Sequence, residues 1–191
     1  MLEYLINIDT KLFLFLNGFN SSFWDKAMWF FSGRIEWIPL YLAIIGFLIY
    51  KYRWKSVLLI LSTIVLITLS DQLSVLIFKN TVQRLRPCHQ PEIQSLVHIV
   101  RGHCGGMYGF ISSHAANSFA LAAFTSFLFK YKPYTVFIFI WAGIISYSRI
   151  YLGVHYPGDV IAGIIFGIFL ARIIILILVK INRKYKLKLN I

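Results

Sequence analysis

Three short polar clusters interrupt an otherwise apolar chain of 191 residues and carry the side chains that could do chemistry. They are Lys79 with Arg86 and Pro87, Ser112 with Ser113 and His114, and Ser148 with Arg149, His155 and Asp159. The cations can hold a phosphate group, the imidazoles can act on it, and the carboxylate can orient one of them. Because each cluster lies at the end of an apolar stretch, we expect a phosphate site at a membrane surface and a lipid phosphate as substrate.

A phosphomonoester dianion is strongly hydrated, so a protein that binds it must replace the lost water with fixed positive donors. Lys79, Arg86 and Arg149 suit this task, since arginine offers forked N–H pairs that match phosphate oxygens. Phosphoryl transfer spreads charge over three equatorial oxygens, and preorganised cations stabilise that charge in the transition state. These residues therefore predict phosphate hydrolysis that requires no metal ion and no other cofactor.

The composition is that of a membrane protein. Hydrophobic residues make up 59% of the chain and charged residues 14%, against roughly 45–50% and 25% in soluble domains. The formal charge of +12 comes from 19 basic and 7 acidic residues. The bases are spread over helix ends and form no stripe, so we expect the bilayer as partner and no nucleic acid.

Apolar stretches close to 20 residues long predict membrane-spanning helices. Residues 1–34 carry charges that interrupt any continuous span, which favours two amphipathic helices in the interface and leaves a sixth span open. The expected fold is an all-α, polytopic membrane helix bundle formed by a single domain over residues 1–191, with its motif-bearing core at 56–179. The five expected spans lie at residues 38–50, 56–78, 113–129, 133–147 and 157–179.

The distribution of basic residues predicts the orientation. Two connections and the C-terminal tail carry ten basic residues and no acidic one: Lys51, Arg53, Lys55, Lys130, Lys132, Lys180, Arg183, Lys184, Lys186 and Lys188. Such a face is expected to be cytoplasmic. The polar clusters lie at the opposite face, so we expect an active site on the periplasmic or outer side of a bacterial inner (cell) membrane.

The spacing within the clusters resembles a known family. Lys79 to Pro87 matches K-x6-R-P, Ser112 to His114 lies where P-S-G-H is found, and Ser148 to Asp159 matches S-R-x5-H-x3-D. The chain is therefore similar to the type 2 phosphatidic acid phosphatase (PAP2) family of membrane enzymes over about residues 56–179. The second motif departs from the family at Ile111 and Ser113, although a helix beginning there would still offer free N–H groups to an anion.

The resemblance implies a role for each motif residue. His155 would attack phosphorus and form a phosphohistidine, and Asp159 would fix its tautomer. His114 would protonate the leaving lipid oxygen and then activate the hydrolytic water. The phosphate would be bound by Lys79, Arg86, Ser112, Ser113 and Arg149.

Several residues allow more than one interpretation. Ser112 suits both phosphate binding and an N-cap. Arg84 is expected to be an interfacial anchor. Asp71, eight residues before Lys79 in the same apolar stretch, is expected to be its structural partner. Cys88 and Cys104 favour a disulfide, and the alternative is a metal site built from Cys88, His89, His98, His103 and Cys104.

Two classes of function fit the cations. One is a phosphatase, which needs both histidines and Asp159. The other is a non-catalytic carrier of anionic lipids, for which the inverted repeats and broken helices typical of transporters are not found. For the enzyme, a long-chain lipid with little beyond phosphate on its head is the simplest substrate, so undecaprenyl diphosphate is preferred. The alternatives are lipid A, phosphatidylglycerophosphate and phosphatidate. The oligomeric state is not predicted.

Overall fold

The computed structural model describes residues 2–189, and within that range all regular structure is helical. A single isolated antiparallel bridge joins Leu85 to Tyr108. The all-α prediction is thus confirmed. The helices are α1 (Leu2–Gly18), α2 (Ser22–Ser32), α3 (Ile38–Tyr52), α4 (Ser56–Leu73), α5 (Asn80–Val82), α6 (Ser113–Phe129), α7 (Lys132–Tyr151) and α8 (Pro157–Lys184).

Helix α6 forms the centre of the bundle and packs against α4, α7 and α8. Most of its side chains are buried, and many are small or apolar. Gly163 and Gly167 of α8 lie against the backbone of α6 at Ser112 and Ala116, where a Cβ atom would collide with a carbonyl oxygen. Small residues permit this close packing of membrane helices. The packing brings the N-termini of α6 and α8 together at one end of the bundle.

The outer surface of the bundle is apolar. Within residues 2–189, three segments are long and apolar enough to cross a membrane: Ile35–Val82, Lys132–Tyr151 and Pro157–Lys184. The first is divided into α3 and α4 by a short 3₁₀ turn at Arg53–Lys55. Large apolar side chains are exposed along these helices, among them Leu42, Phe47, Leu61, Phe137, Ile165 and Phe169. Such a surface is suited to lipid and not to water.

The basic residues used to predict orientation gather at the end of the bundle away from the motifs. The Lys51 ammonium donates hydrogen bonds to the carbonyl oxygens of Leu128 (2.9 Å) and Phe129 (3.1 Å), where α6 ends. The Lys55 ammonium donates to the carbonyl oxygen of Lys188 in the tail (3.2 Å). The two polar ends of the molecule are therefore distinct in chemistry, one basic and one carrying the motif residues.

The N-terminal region contains the two expected helices, and α1 packs onto the motif end of the bundle. Phe13 is fully buried and meets the Tyr156 ring edge-on, with ring centroids 5.4 Å apart. The Asn17 amide donates to the Tyr151 carbonyl oxygen (2.8 Å) and accepts from the His98 N–H (2.8 Å). These buried hydrogen bonds fix α1 to the end of α7 and to the long loop that precedes α6.

Helix α4 continues into a π-helical segment, Ser74–Lys79, before the chain leaves the bundle. Asp71 lies in α4 before this segment, and Lys79 is its last residue. Asp71 accepts a hydrogen bond from the Asn117 amide (3.2 Å), whereas the Lys79 ammonium donates to the Ser113 hydroxyl (2.9 Å). The expected pairing of Asp71 with Lys79 is therefore wrong.

Candidate active site

Four helix ends carry motif residues to the same end of the bundle. Lys79 ends the π-helical segment, His114 lies in the first turn of α6, Arg149 in the last turn of α7, and Asp159 in the first turn of α8. The Ser112 N–H donates to the Asp159 carbonyl oxygen (3.0 Å), which joins the beginnings of α6 and α8 directly. Residues that are far apart in sequence thus surround one region.

His155 is buried beside the carboxylate of the third motif. Its side chain is 2% exposed, and its Nδ1 lies 3.5 Å from Oδ2 of Asp159, which is fully buried. Asp159 Oδ2 also accepts a hydrogen bond from the Tyr156 N–H (3.0 Å) at the start of α8. A carboxylate near Nδ1 favours the tautomer that carries its proton there and leaves Nε2 with a free lone pair.

The second oxygen of Asp159 is bound by Arg84. One guanidinium nitrogen of Arg84 lies 2.8 Å from Asp159 Oδ1, and the other lies 2.8 Å from Oδ2 of Asp9 in α1. Asp9 also accepts a hydrogen bond from the Gly158 N–H (2.8 Å), and the Arg84 guanidinium stacks on the Tyr156 ring at 3.9 Å. The ion-pair chain Asp9–Arg84–Asp159 therefore fixes the carboxylate that faces His155.

The three cations among the predicted phosphate ligands differ from Arg84 in having no acidic partner. Within residues 2–189, no carboxylate lies within 4.0 Å of the charged nitrogens of Lys79, Arg86 or Arg149. The Arg86 side chain, 8% exposed, donates only to the carbonyl oxygens of Tyr108 (3.3 Å) and Cys104 (3.4 Å). Arg149 bonds to the Ser32 hydroxyl, and its Nε has no partner. Buried cations without counter-ions favour the binding of an anion.

These cations also act on His155. Burial, together with the nearby positive charges of Arg86, Arg149 and Lys79, holds the pKa of His155 well below its ordinary value. Burial likewise lowers the pKa of Arg86, although a guanidinium stays charged at neutral pH. His155 is consequently neutral at neutral pH, which is the state that a nucleophilic imidazole requires.

The two serines of the second motif make hydrogen bonds to other groups of the protein. The Ser112 hydroxyl accepts from the Ala115 N–H (3.5 Å) and caps α6, so capping is the role that the structure displays. The Ser113 hydroxyl accepts from Lys79 and lies 2.5 Å from the Ser74 hydroxyl. Ser113, which stands where the family has glycine, thus contacts the Lys79 ammonium directly.

His114 lies beside a cavity of about 600 Å³ enclosed by α3, α4, α6 and α7. None of the other predicted site residues lines this cavity. Its lining includes two charged residues, Arg34 and Asp71. His114 is therefore the motif residue with direct access to a space between the helices.

The loop before α6 lies against the site. Cys88 and Cys104 are joined by a disulfide, with Cα atoms 6.1 Å apart. His89 is close to both sulfurs, whereas His98 binds Asp25 (2.8 Å) and His103 packs near Trp29, so the five residues of the alternative metal site do not converge. A Cβ atom at Gly109 would lie 3.1 Å from Asp159 Oδ2. The loop therefore packs directly against the acid of the third motif.

Sequence reasoning missed Asp9, Arg84 and Arg34. Arg84 was expected to be an interfacial anchor, and that prediction is wrong because its guanidinium is paired with two carboxylates. Side chains two residues apart on an extended segment lie on the same side, so the position of Arg84 before Arg86 was an available signal. Asp9 and Arg34 are distant from every motif in the sequence, so the sequence offered no signal for them.

Comparison with known proteins identifies the family. Residues 57–183 match the PAP2 superfamily. A lipid A 4'-phosphatase of Bacteroides thetaiotaomicron is 47% identical over 172 residues, covering 88% of this chain and 76% of that protein. A lipid A 4'-phosphatase of Porphyromonas gingivalis is 38% identical, covering 91% and 74%. Phosphatidylglycerophosphatase B of Bacillus subtilis is 29% identical, covering 70% and 63%. The chain belongs to the PAP2 superfamily.

Solved structures share the fold. The crystal structure of a transmembrane PAP2-type phosphatidylglycerolphosphate phosphatase from Bacillus subtilis has a TM-score of 0.72 at 22% identity, covering 94% of this chain and 89% of that chain. The structure of LpxE from Aquifex aeolicus has a TM-score of 0.64 at 24% identity, covering 86% and 93%. The protein is an integral membrane lipid phosphatase, a phosphoric monoester hydrolase, and the carrier alternative is set aside.

Proposed function

We propose that the protein removes a phosphate from lipid A through a phosphohistidine on His155. One observation carries the chemistry: three cations without acidic partners, Lys79, Arg86 and Arg149, lie around a buried histidine whose Nδ1 is 3.5 Å from the Asp159 carboxylate. In that arrangement a phosphate dianion supplies the missing negative charge. Its phosphorus is then presented to the free Nε2 of His155.

In the first step, His155 Nε2 attacks phosphorus and the bond from phosphorus to the lipid oxygen breaks. Asp159 stabilises the positive charge that develops on the imidazole. His114 donates its proton to the leaving oxygen, so the lipid departs as an alcohol. Lys79, Arg86 and Arg149 neutralise the equatorial oxygens, which carry the charge of the transition state.

In the second step, neutral His114 takes a proton from water, and the resulting hydroxide attacks the phosphohistidine. The nitrogen to phosphorus bond breaks, inorganic phosphate is released, and both histidines return to their starting states. Protons balance over the cycle, because His114 loses a proton in the first step and regains one in the second. Ser112 and Ser113 contribute by fixing the start of α6 and the Lys79 ammonium.

The relatives favour lipid A over the undecaprenyl diphosphate preferred from sequence. Two lipid A 4'-phosphatases cover about nine-tenths of this chain at 47% and 38% identity. A phosphatidylglycerophosphatase supports phosphatidylglycerophosphate as second candidate, at lower identity and coverage. The 4'-phosphate of lipid A is therefore the substrate we propose, and the isoprenoid lipid becomes a comparison substrate.

For the membrane arrangement we propose one domain with five spans, α3, α4, α6, α7 and α8. Helix α6 has 17 residues and is surrounded by its neighbours, so it needs less apolar length than a helix that faces lipid. The basic end would face the cytoplasm and the site would face the periplasm or exterior of the bacterial inner membrane. A single cysteine at residue 94 should then react with an impermeant thiol reagent in intact cells, and one at residue 132 should not. The reverse labelling would contradict this orientation.

The substrate is tested by phosphate release from detergent-purified protein. We expect kcat/KM for a 4'-phosphorylated lipid A to exceed that for undecaprenyl diphosphate, phosphatidate and phosphatidylglycerophosphate by about tenfold or more, a difference of about 1.4 kcal/mol in transition-state binding. The His155→Ala protein serves as the blank for contaminating phosphatases. A preference for undecaprenyl diphosphate by the same factor would refute the substrate while leaving the phosphatase chemistry intact.

A further inference from the structure

A second, smaller pocket lies at the basic end of the bundle, away from the motif residues. It has a volume of about 400 Å³ and is formed by the end of α3, the 3₁₀ turn that precedes α4, and the C-terminal tail. Its lining consists of Lys51, Tyr52, Arg53, Trp54, Lys55 and Lys188. Most of these side chains are cations and none is an acid. The pocket therefore concentrates positive charge in a small space.

Hydrogen bonds hold the walls of this pocket in place. The Tyr52 hydroxyl donates to the Leu128 carbonyl oxygen (2.6 Å), which fixes the end of α3 against the end of α6. The Lys55 ammonium donates to the Lys188 carbonyl oxygen (3.2 Å). Asn182 exchanges two hydrogen bonds with the backbone of the residue after Lys188 (3.0 and 3.1 Å), so the tail folds back onto α8. These contacts join the helix end, the turn and the tail into one site.

No acidic side chain neutralises the cations of the pocket. Within residues 2–189, no carboxylate lies within 4.0 Å of the charged nitrogens of Lys51, Arg53, Lys55 or Lys188. The next acidic residue along the chain, Asp71, is about 24 Å from Lys55 along α4 at 1.5 Å per residue. Clustered like charges repel each other, so an anion that enters the pocket removes an unfavourable interaction.

The surroundings of the pocket are suited to a lipid. The Trp54 side chain lines the pocket and is 74% exposed. Tryptophan is enriched where membrane helices meet the headgroup region, because its ring is apolar and its N–H group is polar. Tyr50 and Val57, which flank this segment on α3 and α4, are also exposed. A ligand that combines an anionic head with apolar chains therefore fits this position.

We propose that the pocket binds the phosphate of an anionic phospholipid of the surrounding bilayer. The Arg53 guanidinium, whose forked N–H groups match phosphate oxygens, and the Lys55 ammonium bind the phosphate. Lys51 and Lys188 add positive charge, and Trp54 lies beside the lipid at the level of the headgroups. Basic pockets between membrane helices bind anionic headgroups in this way. The phosphate of such a lipid is a diester, which a monoester hydrolase leaves intact, so the lipid is a bound ligand and not a substrate.

The test measures lipid binding to the purified protein in a neutral detergent by native mass spectrometry. The wild type should bind phosphatidylglycerol about tenfold more tightly than phosphatidylcholine, whose headgroup has no net charge. Arg53→Gln with Lys55→Gln should weaken the binding of phosphatidylglycerol about tenfold or more. Arg53→Gln alone should give a smaller loss, and it covers the case that the double variant does not fold, since it leaves the contact of Lys55 with the tail intact.

A matched control removes the same charge from the same end of the molecule. Arg183→Gln with Lys184→Gln replaces two basic residues at the end of α8 that do not line the pocket, and it should change the affinity for phosphatidylglycerol less than about twofold. Phosphate release should be the same in all these variants as in the wild type, because the pocket lies away from the motif residues.

The outcomes separate a specific site from general attraction to a basic surface. Equal losses in the pocket variant and the control would show only general attraction and would overturn the proposal. Unchanged binding in the folded pocket variants, or equal affinity of the wild type for phosphatidylcholine, would also overturn it. Displacement of phosphatidylglycerol by an equal concentration of inorganic phosphate would identify a soluble anion as the ligand and refute the lipid. A loss confined to the pocket variants, on phosphatidylglycerol alone, supports the site.

Discussion

The two histidines of the site stand in opposite surroundings. His155 is almost fully buried, and the carboxylate that faces it is held in turn by Arg84 and Asp9. His114 is half-buried on the first turn of α6, at the wall of a cavity between four helices. One imidazole is buried beside a carboxylate that a chain of charged residues fixes, and the other adjoins a cavity.

The difference matches two different chemical tasks. A nucleophile must present one nitrogen at a fixed place and in a fixed tautomer, which an ordered carboxylate provides. A group that protonates a lipid oxygen must reach a leaving group that enters and departs through the membrane. Burial and anchoring at His155, and access at His114, are therefore what a division of labour between nucleophile and general acid requires.

The largest expected effects are those of replacing the two histidines, and substrates with different leaving groups distinguish their roles. His155→Ala should lower turnover by about 10³-fold or more with every phosphomonoester, since no other group replaces the nucleophile. His114→Ala should lose about 10³-fold with a lipid alcohol as leaving group. With p-nitrophenyl phosphate, whose leaving group needs no proton, His114→Ala should release p-nitrophenol in a burst of about one equivalent, although steady turnover stays low because hydrolysis still lacks its base. The absence of a burst in His114→Ala would remove the distinction between the two roles.

Arg84 tests whether the anchoring of His155 matters. Arg84→Ala should lower kcat by about 10²-fold with a smaller change in KM, because Asp159 loses the partner that orients it. Arg84→Lys should retain part of the kcat that Arg84→Ala loses. Asp9→Asn should lower kcat by about five- to tenfold. Arg172→Ala, an exposed arginine on α8, is the matched control and should behave as wild type. A rise in KM with kcat unchanged would make Arg84 a phosphate ligand instead.

Reduction of the Cys88–Cys104 disulfide should have a moderate effect. The disulfide holds the Cys104 carbonyl oxygen to which Arg86 donates, so its loss should raise KM for the phosphate substrate severalfold. Closure of a loop of this length stabilises a fold by about 3 kcal/mol, so the melting temperature should also fall. Cys88→Ser with Cys104→Ser should reproduce both effects and become insensitive to reductant. An unchanged KM in that double variant would show that Arg86 is held without the disulfide.

The pH dependence should show the smallest effect. The pKa of His155 is lowered from its ordinary 6.5 by burial and nearby cations. Protonated His155 cannot attack phosphorus, so activity is lost as pH falls through that lowered pKa. The acid limb of kcat/KM, which reports the free enzyme, should therefore lie below pH 6.5. A limb above that value, unchanged in Asp159→Asn, would contradict the environment described for His155.

The motifs and the helices that carry them could be predicted from local sequence. Helix α6 begins and ends at the expected residues, 113 and 129, because Ser112 caps it and an apolar run follows. Pro157 opens α8 as its fixed φ suggests, which places Asp159 in the first turn. Such features depend on a few neighbouring residues, and the chemistry they predict is that of the PAP2 superfamily.

Contacts between distant segments could not be predicted in this way. Arg84 forms ion pairs with Asp9 and Asp159, each of which is 75 residues away in the sequence. No local sequence pattern predicts contacts at that separation. Lys79 donates to Ser113, and Asp71 accepts from Asn117, so both residues use partners on α6 and the pairing expected between them does not form. The cavity depends on four helices at once. Tertiary packing therefore decided which charges are paired and which are free to bind phosphate.

The most direct test of the account is to trap the covalent intermediate. In His114→Ala, the hydrolytic step lacks its base, so rapid quenching after mixing with ³²P-labelled p-nitrophenyl phosphate, whose leaving group needs no acid, should accumulate phosphoenzyme up to one equivalent. The label should be stable in alkali, labile in acid, and map by peptide sequencing to His155; it should be absent from His155→Ala. Label on any other residue, or steady release of phosphate by wild type with no trapped intermediate in the variant, would contradict His155 as the nucleophile.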